Sequence, residues 1–343
     1  MLATVAASFI FSVFMKPSFF THTKFALLLL CLLSLQQQAF CWGFFGHRKI
    51  NFQAVFSLPP EMIGFYKTHI DFITEHAVDP DKRRYAIPEE APRHYIDIDH
   101  YGEYPYKELP RKWTDAVAKF SEDTLLTYGI VPWWVQTMKL RLTDAFKEKN
   151  QVKILKLSAE IAHYISDAHV PLHACHNHNG QFSNQYGIHG FWESRVPELF
   201  AEAQYDFFIG KAVYIPNTSQ FMWDRVLESG AAADTVLKME ALLTSKMKPD
   251  EKYAFEERSG KIIRQYSTAF SAAYQQALDG MIERRMRQSI LATASFWYTA
   301  WVDAGQPDLK SLTNKTFTPE DLKEFEALNT GWQTGKALGK ICD

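Results

Sequence analysis

Two pairs of a histidine and a carboxylate, each four residues apart, lie near the middle of the chain. One pair is His163 and Asp167, and the other is His189 and Glu193. Residues four apart share one face of a helix, so each pair can direct a ring nitrogen and a carboxylate oxygen toward one point. A single such pair is usually a hydrogen bond on a helix surface. Two pairs that flank a further histidine, His173, favour a metal site, and nitrogen and oxygen donors of this kind suit Zn²⁺.

Helical periodicity dominates the sequence that must position these residues. Apolar residues recur at three- and four-residue spacing, and alternating runs typical of strands are scarce. The predicted helices cover residues 116–128, 135–147, 152–168, 224–246, 253–277 and 281–301. No internal repeat and no long linker interrupts them, so the sequence predicts one all-α domain.

The first 41 residues have the layout of a secretory signal peptide. A basic residue precedes the apolar run 25–33, and Ala39 lies two residues before Cys41. The run is shorter than the about 20 residues that a membrane span needs. We therefore predict cleavage after Cys41, with Trp42 as the new N-terminus, and an exported protein that is secreted or periplasmic. An uncleaved anchor and a lipoprotein acylated at Cys41 are the alternatives.

Composition limits the class of partner. The 343 residues carry 37 basic and 39 acidic side chains, which gives a net charge of −2. No global field therefore attracts nucleic acid or an anionic membrane, and a polyanionic substrate must be held locally by metal or a few arginines. Outside the presumed signal, Cys175 and Cys342 allow one disulfide at most, so a disulfide scaffold is not expected. Residues 304–343, rich in Gly, Lys, Thr and Asp, are expected to form a peripheral tail.

Four segments together resemble the zinc-dependent phospholipase C and P1/S1 nuclease superfamily. They are the Trp-Gly-x-x-Gly-His opening at 42–47, His-Tyr-Ile-Asp at 94–97, and the stretches 163–173 and 189–193. Their order and spacing match that superfamily as a set, whereas each segment alone is a weak signal. The resemblance implies one helical phosphoesterase domain over residues 42–303, with three zinc ions in a cleft.

The resemblance also implies a ligand set for each ion. One ion would be held by Asp81, His94, His163 and Asp167, a second by His173, His189 and Glu193, and a third by the amine and carbonyl oxygen of Trp42 with His47 and a shared Asp167. A carboxylate has two oxygens, so Asp167 can bridge a close pair of metals. Two cations roughly 3.5–4 Å apart can stabilise an in-line displacement at phosphorus. Zinc also lowers the pKa of bound water to about 7, which supplies the nucleophile. Asp79 is the alternative to Asp81, although Asp81, with an arginine three residues later, fits the nuclease pattern better.

Three further residues are expected on the substrate side of the cleft. In the resemblance, Arg84 contacts the substrate phosphate, where a planar guanidinium suits the oxygens. Tyr95 stands where the nuclease branch has an aromatic residue that stacks on a base, unless it is packed core. Asp97 is a candidate for reading the base edge or orienting the water. The remaining histidines have no place in the pattern and are expected at the cleft rim or surface: His69, His76, His100, His169, His176 and His178.

The motifs leave the substrate divided between two branches. The opening at 42–47 and the segment 94–97 look like the nuclease branch, whereas Glu193 looks like the phospholipase branch. We predict a phosphodiesterase of the nuclease type, acting on single-stranded nucleic acid or nucleotides, with phospholipase C as the alternative. A non-catalytic zinc-binding exported protein is a second alternative. It is disfavoured because structural zinc sites usually close with Cys and His, whereas this ligand set contains no Cys and is rich in carboxylates.

Overall fold

The computed structural model describes residues 43–258, 260–312, 317–335 and 337–338. The predicted export segment 1–41, Trp42 and Cys342 lie outside these residues. Within the described part, no helix is long and apolar enough to cross a membrane.

Helices make up nearly all of the regular structure described. In chain order they are α1 (Phe44–Val55), α2 (Pro60–Thr68), α3 (Ile70–Glu75), α4 (Asp79–Arg83), α5 (Trp113–Phe120), α6 (Glu122–Tyr128), α7 (Val131–Lys147), α8 (Gln151–Asp167), α9 (Ile188–Gly190), α10 (Val196–Gln204), α11 (Thr218–Lys246), α12 (Pro249–Lys252), α13 (Thr268–Ala277), α14 (Met281–Asp303) and α15 (Pro319–Thr334). Short 3₁₀ turns cover His76–Val78, Pro88–Arg93, Ile98–Tyr101, Pro171–Ala174 and Lys310–Leu312, and a π-helical turn, Phe191–Arg195, joins α9 to α10. The predicted all-α fold is confirmed.

The one long helix predicted over residues 253–277 is wrong in its first half. Strands β1 (Tyr253–Arg258) and β2 (Lys261–Tyr266) pair there as an antiparallel hairpin. Gly260 has a φ of +76°, a left-handed conformation that a helix does not tolerate but a tight turn needs. Exposure alternates along β2 and along most of β1, as expected for paired strands with one face toward the protein.

Helix α8 is the centre of the domain. It packs against α1, α3, α7 and α14, and its residues from Ser158 to Asp167 are all buried. The indole N–H of Trp297 donates to Ser158 O at 2.9 Å, and the Tyr66 hydroxyl lies 2.8 Å from Ser158 Oγ. A shift of α8 along its own axis would break these bonds, and each buried polar group left unpaired would cost about 1–3 kcal/mol. The bonds therefore fix the position of α8. The C-terminal end of α8 is thereby held in one place.

The segment expected to be a peripheral tail contains a helix that packs on the domain. Phe325 of α15 is 8% exposed and contacts the rings of Phe72 and His76, with centroid distances of 5.4 and 4.4 Å. Trp332 contacts the ring of Phe44 at 5.1 Å, near the start of α1. Helix α15 therefore links the end of the chain to the N-terminal side of the described domain.

Candidate metal centre

The C-terminal end of α8 carries two of the predicted ligands. His163 and Asp167 are fully buried there, one turn apart. His163 Nδ1–H donates to Ala77 O at 2.8 Å, so Nε2 keeps its lone pair. That Nε2 lies 3.4 Å from Asp167 Oδ2. A backbone carbonyl that holds the far ring nitrogen is the usual way in which a protein orients a metal-binding histidine.

Four side chains converge at this end of α8, and we call them the first group. They are Asp81, His94, His163 and Asp167. His94 Nδ1 lies 3.0 Å from Asp167 Oδ2 and 3.1 Å from His163 Nε2. Asp81 Oδ1 lies 3.6 Å from His163 Nε2 and 3.8 Å from His94 Nδ1. Four donors around a tetrahedral zinc are about 3.3–3.6 Å apart, and the observed spacings of 3.0–3.8 Å lie on both sides of that range, as a candidate site for one ion requires.

The surroundings of Asp79 and Asp81 favour Asp81 as the ligand. Asp79 Oδ2 lies 2.5 Å from His76 Nδ1, and its Oδ1 accepts a hydrogen bond from Lys82 Nζ at 3.0 Å. Both oxygens of Asp81 are buried and have no hydrogen-bond partner among the described residues. A buried carboxylate without hydrogen bonds needs a compensating cation, and an ion held by the first group would supply it.

Asp167 faces two sets of ligands through its two oxygens. Its Oδ1 lies 3.5 Å from His47 Nε2, and neither atom has a hydrogen-bond partner in the described part of the chain. His47 Nδ1–H donates to Ser166 Oγ at 2.9 Å, and that hydroxyl donates to His163 O at 2.7 Å. We call His47 and Asp167 Oδ1 the third group. The geometry favours Asp167 as a bridging carboxylate.

Trp42, the other predicted ligand of the third group, lies outside the described residues. Its neighbour Gly43 donates its N–H to Ser194 Oγ at 3.0 Å. A Cβ at residue 43 would lie 2.8 Å from that oxygen, so the close approach requires glycine. Because Ser194 directly follows Glu193, the start of α1 is held beside the remaining predicted ligands.

The second group consists of His173, His189 and Glu193, all of them buried. Glu193 Oε2 lies 3.0 Å from His189 Nε2 and 3.4 Å from His173 Nε2. His173 Nδ1–H donates to His94 O at 2.6 Å, which ties the second group to the first. Glu193 lies in the π-helical turn Phe191–Arg195, a departure from α-helix that is frequent at functional sites.

Burial and opposite charges shift the pKa values of the ligands in different directions. Burial alone would raise the pKa of Asp167, but the neighbouring histidines His163 and His173 outweigh it and lower the pKa to about 2. Burial and the neighbouring His163 lower the pKa of His47 to about 3. Burial also opposes the charged form of His94, yet Asp167 and Glu90 raise its pKa to about 9. Asp167 and His47 therefore stand in the protonation states that bind metal at neutral pH, whereas His94 must release a proton to do so.

The donors in these groups suit zinc. They are imidazole nitrogens and carboxylate oxygens. Several of these atoms are buried and have no hydrogen-bond partner in the described part of the chain: Asp81 Oδ1 and Oδ2, Asp167 Oδ1, His47 Nε2 and His173 Nε2. The family model described as zinc dependent phospholipase C matches residues 46–271, more than half of the chain. The chain belongs to the zinc-dependent phospholipase C family. This membership confirms the resemblance of the motifs and identifies zinc as the metal of the family.

Comparison with solved structures and curated sequences adds little to that membership. The alpha toxin from Clostridium absonum is similar in structure, with a TM-score of 0.44 and 12% sequence identity. The matched region covers 77% of this chain and 65% of the toxin chain, which is less than two thirds of the toxin's length. No curated protein matches this chain.

Two adjacent arginines near the candidate zinc ligands have different environments. Arg83 is held in the protein, because its guanidinium donates to Glu160 Oε1 at 2.5 Å and to Glu160 Oε2 at 3.3 Å. Arg84 is 6% exposed, and its carbonyl accepts a hydrogen bond from Leu338 N at 2.9 Å. A phosphate contact by Arg84 stays a prediction, whereas Arg83 is already paired.

Tyr95 is mostly enclosed and poorly placed for stacking. It is 8% exposed, and its hydroxyl donates to Thr127 O at 3.3 Å. Gly129 passes so close that a Cβ there would lie 2.6 Å from Tyr95 Cδ2. These contacts favour the alternative that Tyr95 is a packed core residue and argue against a base stacking on it.

Asp97 lies outside the three ligand groups and contacts the loop that follows His173. The carboxylate of Asp97 is 3.2 Å from His176 Nδ1, and Asp97 N donates to Tyr128 O at 2.7 Å. The ring of Phe182 stacks on His176 with 5.0 Å between centroids. Asp97 therefore anchors an aromatic pair, and its roles in orienting water or reading a base stay predictions.

Two contacts near the ligands were not anticipated from the sequence. His169, expected at the rim or surface, is fully buried, with Nδ1 2.7 Å from Ile165 O. Its position four residues after Ile165 on the helical pattern of α8 could have indicated this. Glu90 is fully buried with Oε1 3.6 Å from His94 Nε2. It also precedes its histidine by four residues, the spacing that singled out the other pairs.

Proposed function

We propose that this chain is a zinc-dependent hydrolase that cleaves phosphodiesters. The observation that carries the proposal is the convergence of three buried ligand groups, two of which share the carboxylate of Asp167. When bound, zinc lowers the pKa of water and stabilises the charge that develops on a phosphate. The family named after zinc-dependent phospholipase C supports the same chemistry.

The proposed centre holds three zinc ions. Asp81, His94 and His163 with Asp167 Oδ2 would hold the first, and His173, His189 and Glu193 the second. His47 and Asp167 Oδ1, with the amine and carbonyl of Trp42, would hold the third. The chain's own part is to keep these donors in place and dry: the described ligands are all nearly or fully buried, which strengthens their interaction with cations.

We propose single-stranded nucleic acid or nucleotides as the substrate class. The aromatic ring on which a base stacks would then lie in the loop after His173, and not at Tyr95. Phe182 is 66% exposed and stacks on His176, which is bonded to Asp97. The His178 ring lies 6.0 Å from that of His189, so this loop adjoins the ligands. Bases of any sequence can stack on such a ring, each contributing about 1–3 kcal/mol.

Phospholipase C activity is the second candidate function. It is favoured by the identity of residue 193, where this chain has Glu, as the phospholipase branch does, and by the description of the family model. The expected substrate would then be a phospholipid whose head group leaves as a phosphate ester.

A parallel assay tests the proposal and separates the two substrates. Zinc-loaded protein is given single-stranded DNA, RNA, phosphatidylcholine and the small diester bis(p-nitrophenyl) phosphate. Phe182→Ala is expected to slow cleavage of the nucleic acids by at least about fivefold, which is the lower end of the effect of losing one base stack, and to leave the small diester unchanged. Phe208→Ala is the control, because Phe208 is 86% exposed on another segment.

Other outcomes of this assay overturn parts of the proposal. Cleavage of phosphatidylcholine alone would replace the nuclease reading with the phospholipase reading. No turnover of any substrate by fully zinc-loaded protein would leave a non-catalytic zinc-binding exported protein.

Export is the third element of the proposal. The Trp42 nitrogen can bind zinc only as a free amine, and removal of the export segment would release it from its peptide bond. We propose that the protein is secreted or periplasmic and is activated when the segment 1–41 is removed. A chain that begins at Trp42 is expected to bind the third ion and to turn over a phosphodiester. The same chain with Gly-Ser before Trp42 is expected to bind about one ion fewer and to be nearly inactive. Equal zinc content and equal turnover would show that Trp42 is no ligand.

A further inference from the structure

The ligand histidines differ in which ring nitrogen faces the metal groups. In His47, His163 and His173, Nδ1 is hydrogen-bonded to a hydroxyl or backbone carbonyl oxygen, and Nε2 faces the other ligands. His94 has the opposite orientation: its Nδ1 faces Asp167 and His163. Its Nε2 faces Glu90.

His94 also differs from the other three histidines in the group beside the ring nitrogen that faces away from the metal groups. The acceptors for the other three histidines are neutral oxygens of Ser166, Ala77 and His94. Glu90 is a carboxylate with no exposed surface, and its Oε1 lies 3.6 Å from His94 Nε2. At 3.6 Å the two atoms are in ionic contact rather than hydrogen-bonded. A carboxylate at that position favours a proton on the far ring nitrogen and raises the basicity of the nitrogen that binds metal.

Glu90 is held on its other sides by a buried polar network. Its carboxylate accepts hydrogen bonds from the Tyr164 hydroxyl and from Arg93 NH1, the latter at 2.5 Å. Arg83 NH1 lies 3.7 Å away and is shared with Glu160. Burying these charges carries a large desolvation cost that a purely apolar contact would avoid, so the network is weak evidence for stability and better evidence for a specific role.

We propose that Glu90 is a positioning residue, which fixes His94 in the tautomer whose Nδ1 is free to bind the first group's zinc. The inference deepens the proposed function, on which it rests for the identity of the metal. It concerns the binding of zinc and not the substrate. Among the described ligands of the first group, Glu90 is paired with His94 alone.

A readout of the tautomer tests the proposal in the unaltered protein. In a long-range ¹H–¹⁵N spectrum of the zinc-loaded chain, His94 is expected to carry its proton on Nε2. His47, His163 and His173 are expected to carry theirs on Nδ1. A proton on Nδ1 of His94 would overturn the proposal without any mutation, and so without any risk of a misfolded variant.

Zinc affinity tests the same point with matched variants. Glu90→Gln keeps the size of the side chain but removes its charge, and is expected to weaken the binding of one zinc ion by about 10–100-fold in a chelator competition. Glu160→Gln is the control, because Glu160 is buried and pairs with the same Arg83 but contacts no ligand histidine. Its zinc affinity is expected to stay within about threefold of the original.

The two variants also separate a positioning role from a structural one. If Glu90 only holds the arginine network together, both variants lose thermal stability and zinc affinity to the same extent, and the proposal fails. Failure of the proposed function looks different. The wild-type chain would then bind zinc and cleave no phosphodiester, while the loss of zinc affinity in Glu90→Gln would remain.

Discussion

At the residue scale, the centre depends on side chains that offer two contacts each. Asp167 directs one oxygen to the first group and the other to His47. His173 directs Nε2 to Glu193 and donates from Nδ1 to the His94 carbonyl. Because each such residue contacts two groups, a change at one of them is expected to alter more than one ion.

Asp167→Asn tests the bridging carboxylate. The amide keeps the shape of the side chain but loses the charge that lets it hold two cations. We expect about one zinc ion fewer per chain and a loss of turnover of more than about 100-fold, beyond the effect of losing an outer partner of a metal ligand. The helical content should be retained. Elemental analysis, phosphodiester turnover and circular dichroism measure these quantities.

Asp79→Asn is the matched control for that change. Asp79 is also buried and lies two residues from the proposed ligand Asp81, but it is paired with His76 and Lys82. Its zinc content should equal that of the original chain. Wild-type turnover in Asp167→Asn, or equal zinc loss in both variants, would refute the bridging role.

At the element scale, the segment that carries His94 is held from both sides. Ile96 N donates to His173 O at 2.9 Å, and Val131 N donates to Tyr95 O at 3.2 Å. Gly129 makes the second contact feasible, since its φ of +93° and ψ of 153° suit essentially glycine alone. A Cβ there would lie 2.2 Å from Tyr95 O. The turn before α7 thus fixes the backbone next to His94, a proposed zinc ligand.

Gly129→Ala is expected to lower the free energy of unfolding by more than about 2 kcal/mol, from the strained backbone and the overlap with Tyr95. It should also weaken zinc binding, because the strain falls beside His94. Gly64→Ala is the control: no atom lies near its added methyl group, and it lies inside α2. That change should stabilise the protein by about 0.5–1 kcal/mol. Chemical denaturation measures both, and a neutral Gly129→Ala would contradict the account.

The sequence predicted which side chains meet where local spacing determines the geometry. His163 with Asp167 and His189 with Glu193 lie one helical turn apart, and the structure brings each pair together. Glu90 and His94 have the same spacing, but the turn Pro88–Arg93 contains prolines and gives no helical pattern to draw attention to them. The enclosure of Tyr95 depends on Gly129, 34 residues away, which no local pattern reveals.

At the scale of the whole molecule, the two ends of the described chain meet. Helix α15 packs by Phe325 on Phe72 and His76, and by Trp332 on Phe44. Phe44 lies two residues after Trp42, the predicted N-terminal ligand. The C-terminal helix therefore supports the region from which the third zinc ion would receive its amine.

Phe325→Ala is expected to destabilise the protein by about 3 kcal/mol, the lower end of the range for a buried phenylalanine, since a cavity forms beneath α15. Leu322→Ala lies in the same helix and is the control, because Leu322 is 55% exposed and should cost less than about 0.5 kcal/mol. Thermal unfolding compares the two. Equal, small effects would show that α15 contributes nothing to the fold, as a peripheral tail would.

The buried ligand groups are proposed to form a zinc centre that cleaves phosphodiesters. The most direct measurement adds zinc stepwise to metal-free chain beginning at Trp42 and follows bound zinc and hydrolysis of bis(p-nitrophenyl) phosphate together. We predict that turnover is absent without zinc and reaches its maximum only as about three ions bind, since two groups share Asp167. Full turnover with at most one ion bound, or no turnover with three, would contradict the account.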